Sequence, residues 1–204
     1  TFTFAKRAVM YQRNVRDLVK TYVRPVLDGL LAMKDFNHIK DHAKVVKDYL
    51  KDATSTGKTG VNILIYGRPG TGKTEFIRTL AQSLSVSCYE VSNVDNDGVA
   101  IKGHQRLGAC AAAQNLLKEL NCVLMFDEVE DVFPPLTHEA AQWLARAEST
   151  AAPANGSVSG KAWVNQVLES NPVPVIWVTL RTVSLRTFWE FRLLVSRSLT
   201  LRMF

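Results

Sequence analysis

The residues with the most chemistry in their spacing are Gly67-Arg68-Pro69-Gly70-Thr71-Gly72-Lys73-Thr74. They follow the pattern G-x-x-x-x-G-K-[ST], which binds phosphate when it joins a strand to a helix. Gly67, Gly70 and Gly72 let the backbone around Pro69 and Thr71 fold tightly enough for successive amides to converge on phosphate oxygens. A helix starting there adds its positive dipole end. Lys73 would reach the β and γ phosphates, and the Thr74 hydroxyl would bind Mg2+. Glu75 is grouped with this loop, where its carboxylate complements the first helical turn. A glycine-rich turn with an exposed lysine is the plain alternative, but a chance match in a chain this long has odds below about 1 in 100.

A second constellation lies 54 residues beyond Lys73, in Val123-Leu124-Met125-Phe126-Asp127-Glu128. An apolar run ending in two carboxylates reads as a buried strand that delivers them to the carboxyl edge of a sheet, where open α/β folds bind ligands. Asp127 would support Mg2+, and Glu128 would orient and polarise an attacking water. Alone, such a pair is an ordinary solvated strand end; the upstream loop changes that reading.

The elements needed to position these groups are legible in the hydrophobic periodicity. Apolar stretches at residues 61–66, 86–91, 122–127 and 173–179 predict strands. Helical spacing predicts helices at 74–84, 105–120 and 161–170. Their alternation predicts an α/β fold, a parallel sheet flanked by helices. Before it, residues 15–31 carry apolar positions in i, i+3, i+4 rhythm, which predicts a helix kinked at Pro25 or two helices meeting near Arg24. Val45, Val46, Tyr49, Leu50 and Ala53 predict another. The stretch 149–160, rich in Ala, Ser and Gly, predicts a loop.

With these motifs in place, the sequence resembles the nucleotide-binding core of an AAA+ ATPase, a P-loop NTPase, over about residues 35–179. The segment Gly103-His104-Gln105-Arg106 leading into a helix adds to the likeness. The resemblance implies a five-stranded core that hydrolyses ATP with Mg2+. It also implies assembly into a homo-oligomeric ring, often hexameric, and remodelling of a macromolecular substrate, a protein rather than a nucleic acid. Residues 1–34, with their helical spacing, lie before the resemblance as a helical extension, and by the resemblance His38 and Ile39 of Asp35-Phe36-Asn37-His38-Ile39 are candidate base contacts. His38 and His42 also stand four apart, but no third metal ligand accompanies them. Ala100-Ile101-Lys102-Gly103 takes the place of a central-pore loop, with Ile101 and Lys102 where the family has an aromatic.

The likeness breaks near residue 180. Val175-Ile176-Trp177-Val178-Thr179 should lead to a polar strand end, usually Asn, but position 180 is Leu. The interface arginine and the helical lid are not recognisable. In residues 179–204, Leu, Arg, Thr and Ser make up 18 of 26 positions. That shift suggests an atypical tail from a reading-frame error or truncation, with a divergent strand near 199–204 as the alternative. Both ends are therefore expected to be cut.

Composition bounds the remaining classes. The 204 residues are 47% apolar and 22% charged, enough for one globular domain with a real core. No apolar run approaches a membrane span. Cys88, Cys110 and Cys122 are an odd set without metal spacing, so buried thiols in a reducing, cytoplasmic setting are expected. The net charge of +6 invites a nucleic-acid partner, but it is unevenly spread: residues 1–60 carry +6, residues 61–178 carry −4 and residues 179–204 carry +4. A DNA-associated loader and a nucleotide-binding module without efficient hydrolysis remain the competing functions.

Overall fold

The structure is a computed structural model that describes residues 19–95, 97–101, 103–132, 160–180 and 198–203. Its framework is a six-stranded sheet. In chain order the elements are β1 (Val23–Pro25), α1 (Lys40–Thr56), β2 (Asn62–Gly67), α2 (Lys73–Ser83), β3 (Ser87–Val91), α3 (His104–Leu117), β4 (Cys122–Phe126), α4 (Gly160–Ser170), β5 (Val175–Thr179) and β6 (Ser198–Met203). The spatial order is β1-β3-β4-β5-β2-β6. Five strands, β3 to β6 with β2, are parallel, and β1 alone is antiparallel.

Period-two alternation splits the core into two layers, one on each face. Leu64 of β2, Leu124 and Phe126 of β4 and Trp177 of β5 face α3 and α4, where they meet Leu107, Cys110, Ala113, Leu117, Val164 and Leu168. Their neighbours in sequence, Ile63, Ile65, Val123, Met125, Ile176 and Val178, face α1 and α2 and meet Val46, Leu50, Phe76, Ile77 and Leu80. Strands buried on both sides need continuous apolar runs, which is why those segments read as strands without visible alternation.

Two expectations are corrected. The helical spacing of residues 15–31 does not carry through, because helix ends at residue 22 and Val23–Pro25 becomes a strand. Pro25 has no N–H to offer a helix and biases Arg24 toward extended backbone. Val23, only 1% exposed, is buried instead by pairing with the edge of β3, Val23 opposite Val91 and Pro25 opposite Tyr89. Proline is tolerated on such an edge strand, which here shields β3 from solvent. Leu27, Leu30 and Leu31 consequently lie exposed rather than on a buried helix face. In α1 the buried stripe is Ala43, Val46, Leu50 and Ala53, and Val45 faces outward.

The end of the chain contributes β6. Ser198–Met203 pairs in parallel with β2 from Asn62↔Ser198 to Gly67↔Met203, with Leu201 and Met203 buried and Arg202 exposed between them. This is the strand that the sequence offered as the alternative at 199–204; the composition change upstream of it, at 181–197, lies outside the described residues.

At the amino end of the central strands, a buried polar cluster ties the layers together. The Trp177 indole N–H donates to Asn62 Oδ1 (2.9 Å), and Asn62 Nδ2 donates to the Leu168 carbonyl (2.6 Å). Asn171 Nδ2 donates to the carbonyls of Val61 (3.0 Å) and Val173 (2.8 Å). Asn62→Ala removes the carbonyl that accepts the indole N–H and opens a void, so urea unfolding should show a loss of about 2–4 kcal/mol. A loss below about 0.5 kcal/mol, the ordinary range of a surface substitution, would contradict this account of the cluster.

All three thiols are buried. Burial pushes Cys88 and Cys110 up to about 12 and Cys122 up to about 11, from the usual 9.0. The unfolded chain releases these protons first, so the folded state holds more protons between about pH 9 and 12. Their contribution is complete below pH 9 and is lost as pH rises through that window. The urea midpoint should therefore fall above pH 9 more steeply in the native chain than in a variant with all three cysteines changed to alanine. Equal slopes would contradict the burial of the thiols.

Candidate functional site

The carboxyl ends of β2, β4 and β5 converge at one edge of the sheet. Register fixes their levels: Phe126 pairs with Trp177, which pairs with Leu64, and Tyr66 pairs with Thr179. Asp127 and Glu128 thus leave β4 beside the point where β2 turns into the loop at Gly67. Gly67 is held close to β6: a Cβ there would lie 2.3 Å from the Met203 carbonyl oxygen. The first glycine of the motif is therefore required by the neighbouring strand.

The loop itself curls through left-handed backbone at Gly70 (φ 78°) and Gly72 (φ 79°), which only glycine adopts freely. Arg68, Pro69 and Gly70 are exposed, and the Thr71 hydroxyl closes the turn by donating to the Arg68 carbonyl (2.9 Å). Gly72 is the N-cap of α2 and has no side chain to satisfy its first amides. The first intrahelical bond runs from Phe76 N–H to the Gly72 carbonyl (2.8 Å), so the amides of Lys73, Thr74 and Glu75 have no acceptor within the helix. Lys73 is 6% exposed, and its ammonium donates to the carbonyls of Gly67 and Arg68, both at 2.9 Å. Burial pulls its pKa below the ordinary lysine value, and the charges of Asp127 and Glu130 partly offset that.

Across the edge, Asp127 is half-buried and Glu128 exposed. Asp127 Oδ1 accepts the Glu128 N–H (2.9 Å). Thr74 and Asp127 therefore bring a hydroxyl and a carboxylate, hard oxygen donors of the kind Mg2+ takes.

Other residues expected in the site are distributed differently. Glu75 turns its carboxylate to the segment that follows β1, accepting the N–H groups of Leu30 and Leu31, and it pairs weakly with Arg78 (3.8 Å). That segment lies tightly on α2: a Cβ on Gly29 would sit 2.6 Å from the Thr79 hydroxyl, which itself donates to the Leu31 carbonyl (3.1 Å). Residues Met33–Ile39 form a 3-10 turn beside the loop, with Phe36 packed edge-on against Phe76 (5.2 Å) and next to Gly72. Ile39 is buried in the core, whereas His38 is exposed. His42 is also exposed, and no cluster of three metal-binding side chains occurs among the described residues. In the predicted pore segment 100–103, Ile101 is half-buried and Lys102 lies outside the described residues; just before it, Asp95 Oδ1 accepts the amides of Asp97 (3.0 Å) and Val99 (2.9 Å), and Val99 is exposed.

Two contributors have no role assigned from the sequence. Glu130 accepts hydrogen bonds from the Thr179 hydroxyl and the Leu180 amide (2.7 Å), joining the turn after β4 to the end of β5. Arg106, 1% exposed, donates to the carbonyls of Asp127 (2.7 Å) and Glu128 (3.3 Å). The signal for Glu130 is the acidic run Asp127-Glu128-Val129-Glu130-Asp131, and that for Arg106 is its place in Gly103-His104-Gln105-Arg106 at the start of a helix, which carries the family likeness but no role.

Known proteins resemble this chain over part of its length. Lon protease of Leptospira interrogans is 31% identical over 105 residues, covering 45% of this chain and 12% of that protein. The ATP-dependent zinc metalloprotease FtsH 1 of Alkaliphilus metalliredigens is 31% identical over 101 residues, covering 46% of this chain and 16% of that protein. The chain thus spans a small part of the relatives it matches. A chain of the S. cerevisiae Hsp104-ADP complex superposes with a TM-score of 0.49 at 16% identity, covering 90% of this chain and 24% of that one. No helix among the described residues is long and apolar enough to cross a membrane. The model of the ATPase family associated with various cellular activities (AAA) matches residues 63–185, more than half the sequence, and the chain belongs to that family.

Proposed function

We propose that this chain binds ATP with Mg2+ at residues 67–74 and hydrolyses it. The observation that carries this reading is the meeting, at one sheet edge, of a glycine loop with a buried lysine and a strand that ends in two carboxylates. The residues fit the nucleotide. Gly67, Pro69, Gly70, Thr71 and Gly72 form the cradle, the uncapped amides of α2 offer donors to phosphate oxygens, and Lys73 can exchange two carbonyl partners for phosphate. Thr74 and Asp127 would hold Mg2+, which neutralises developing charge on the phosphates. Glu128, exposed at the rim, would take the role of polarising water. The 3-10 turn at 33–39 supplies the neighbouring surface for the base, through exposed His38 and the backbone at Ile39. Glu75 serves as the anchor of residues 30 and 31 rather than as a phosphate contact.

Remodelling of a protein substrate by a homo-oligomeric ring, in the cytoplasm, is the proposed setting. Two of the named relatives are proteases, which supports a protein as the substrate. A DNA-associated role has less support, since residues 61–178 carry a net −4. One observation favours a module that binds nucleotide without efficient hydrolysis: the Thr179 hydroxyl is taken by Glu130, and the next residue is Leu180.

Lys73→Ala should weaken binding of a fluorescent ATP analogue by about tenfold or more, since a charge-assisted contact is worth about 1.5–3 kcal/mol. Unchanged affinity would refute the phosphate assignment. Glu128→Gln should keep that affinity and lose turnover by about 10²–10⁴-fold. Equal rates in the native chain and the variant would mean that the chain binds without catalysing.

A further inference from the structure

Glu128 stands in backbone that a glutamate rarely adopts. Its φ and ψ are 55° and 54°, and Ser85 is the only other non-glycine residue at positive φ among those described. Such conformations persist where the surroundings over-determine them, and they concentrate at functional sites.

Three contacts hold this one. Immediately after Glu128, Val129 is fully buried in the core between the sheet and α3. One residue further, Glu130 is fastened to the end of β5 through Thr179 and Leu180. Beneath the turn lies Arg106 of α3, its guanidinium stacked 4.5 Å over the Phe126 ring and donating from separate nitrogens to the carbonyls of Asp127 and Glu128. A charge buried this far costs stability unless its donors find partners; the two terminal nitrogens are directed at two consecutive peptides where β4 ends, while Nε has no hydrogen-bond partner among the described residues. The planar fork suits that task; the single ammonium of lysine does not.

We propose that Arg106 is a positioning residue for hydrolysis. By gripping the Asp127 and Glu128 carbonyls it fixes the left-handed turn and thereby holds the Glu128 carboxylate at the open edge of the site. It acts through Glu128 and does not touch nucleotide. This inference rests on the ATPase reading above.

Arg106→Met and Arg106→Lys, made in the 204-residue chain, test it through turnover, affinity for a fluorescent ATP analogue and amide hydrogen exchange. Both variants should lower kcat on the order of 10²-fold with KM and analogue affinity within about twofold of the native chain. Combined with Glu128→Gln, Arg106→Met should add no further loss, because both act through one carboxylate. Exchange at the amides of residues 128–131 should quicken while that of β4 stays unchanged. Native turnover in either variant, a parallel loss of analogue affinity, or a full additional loss in the double variant would overturn the proposal. If the native chain shows no ATP turnover, the ATPase reading fails by itself. The exchange data then decide the positioning role: faster exchange confined to 128–131 supports it, and unchanged exchange overturns it.

Discussion

The parallel pairing of β2 between β5 and β6, with β4 beyond β5, is the constraint on which the rest depends. Parallel strands share a direction, so their carboxyl ends open at one edge, and register decides which residues meet there. Pairing of Leu64 with Trp177 and of Trp177 with Phe126 brings Asp127 to the level where β2 is about to enter the glycine loop. A shift of one residue in either pairing would turn every inward side chain to the opposite face. The two apolar layers oppose such a shift. The buried Asn62, Trp177 and Asn171 cluster at the far edge gives the register a polar lock as well.

The reactive edge concentrates conformations and burials that stability alone would not select. Lys73 is desolvated and rests on two carbonyls, Glu128 occupies left-handed backbone, and Arg106 places a buried charge beneath it. Each is compensated locally, by hydrogen bonds or by a ring face. In the proposed function Lys73 exchanges carbonyl partners for phosphate, while Arg106 and Glu130 stay in place as the frame around Glu128.

Much of this was legible in the sequence because the signals are local. Four strands and three helices of the core follow from runs and periodicities that the structure reproduces within two or three residues at each end. The glycine loop and the Asp127-Glu128 strand end are short contiguous motifs, so their placement at one edge could be anticipated from alternation alone. What was not legible depends on distant partners. Residues 23–25 look helical until the open edge of β3 competes for them, and β6, one of two readings of the tail from sequence, is placed by its pairing with β2. Glu75 could not be assigned to the Leu30 and Leu31 amides, nor Arg106 to the turn after β4, because those contacts span 44 and 45 residues in the first case and 21 and 22 in the second.

The central claim is that the buried lysine of the loop serves phosphate. A crystal structure of the chain grown with a non-hydrolysable ATP analogue and Mg2+ tests it most directly. The account predicts that Lys73 Nζ leaves the carbonyls of Gly67 and Arg68 for the β and γ phosphates, with Thr74 and Asp127 on the metal side. Analogue bound elsewhere, with Lys73 still resting on those two carbonyls, would contradict it.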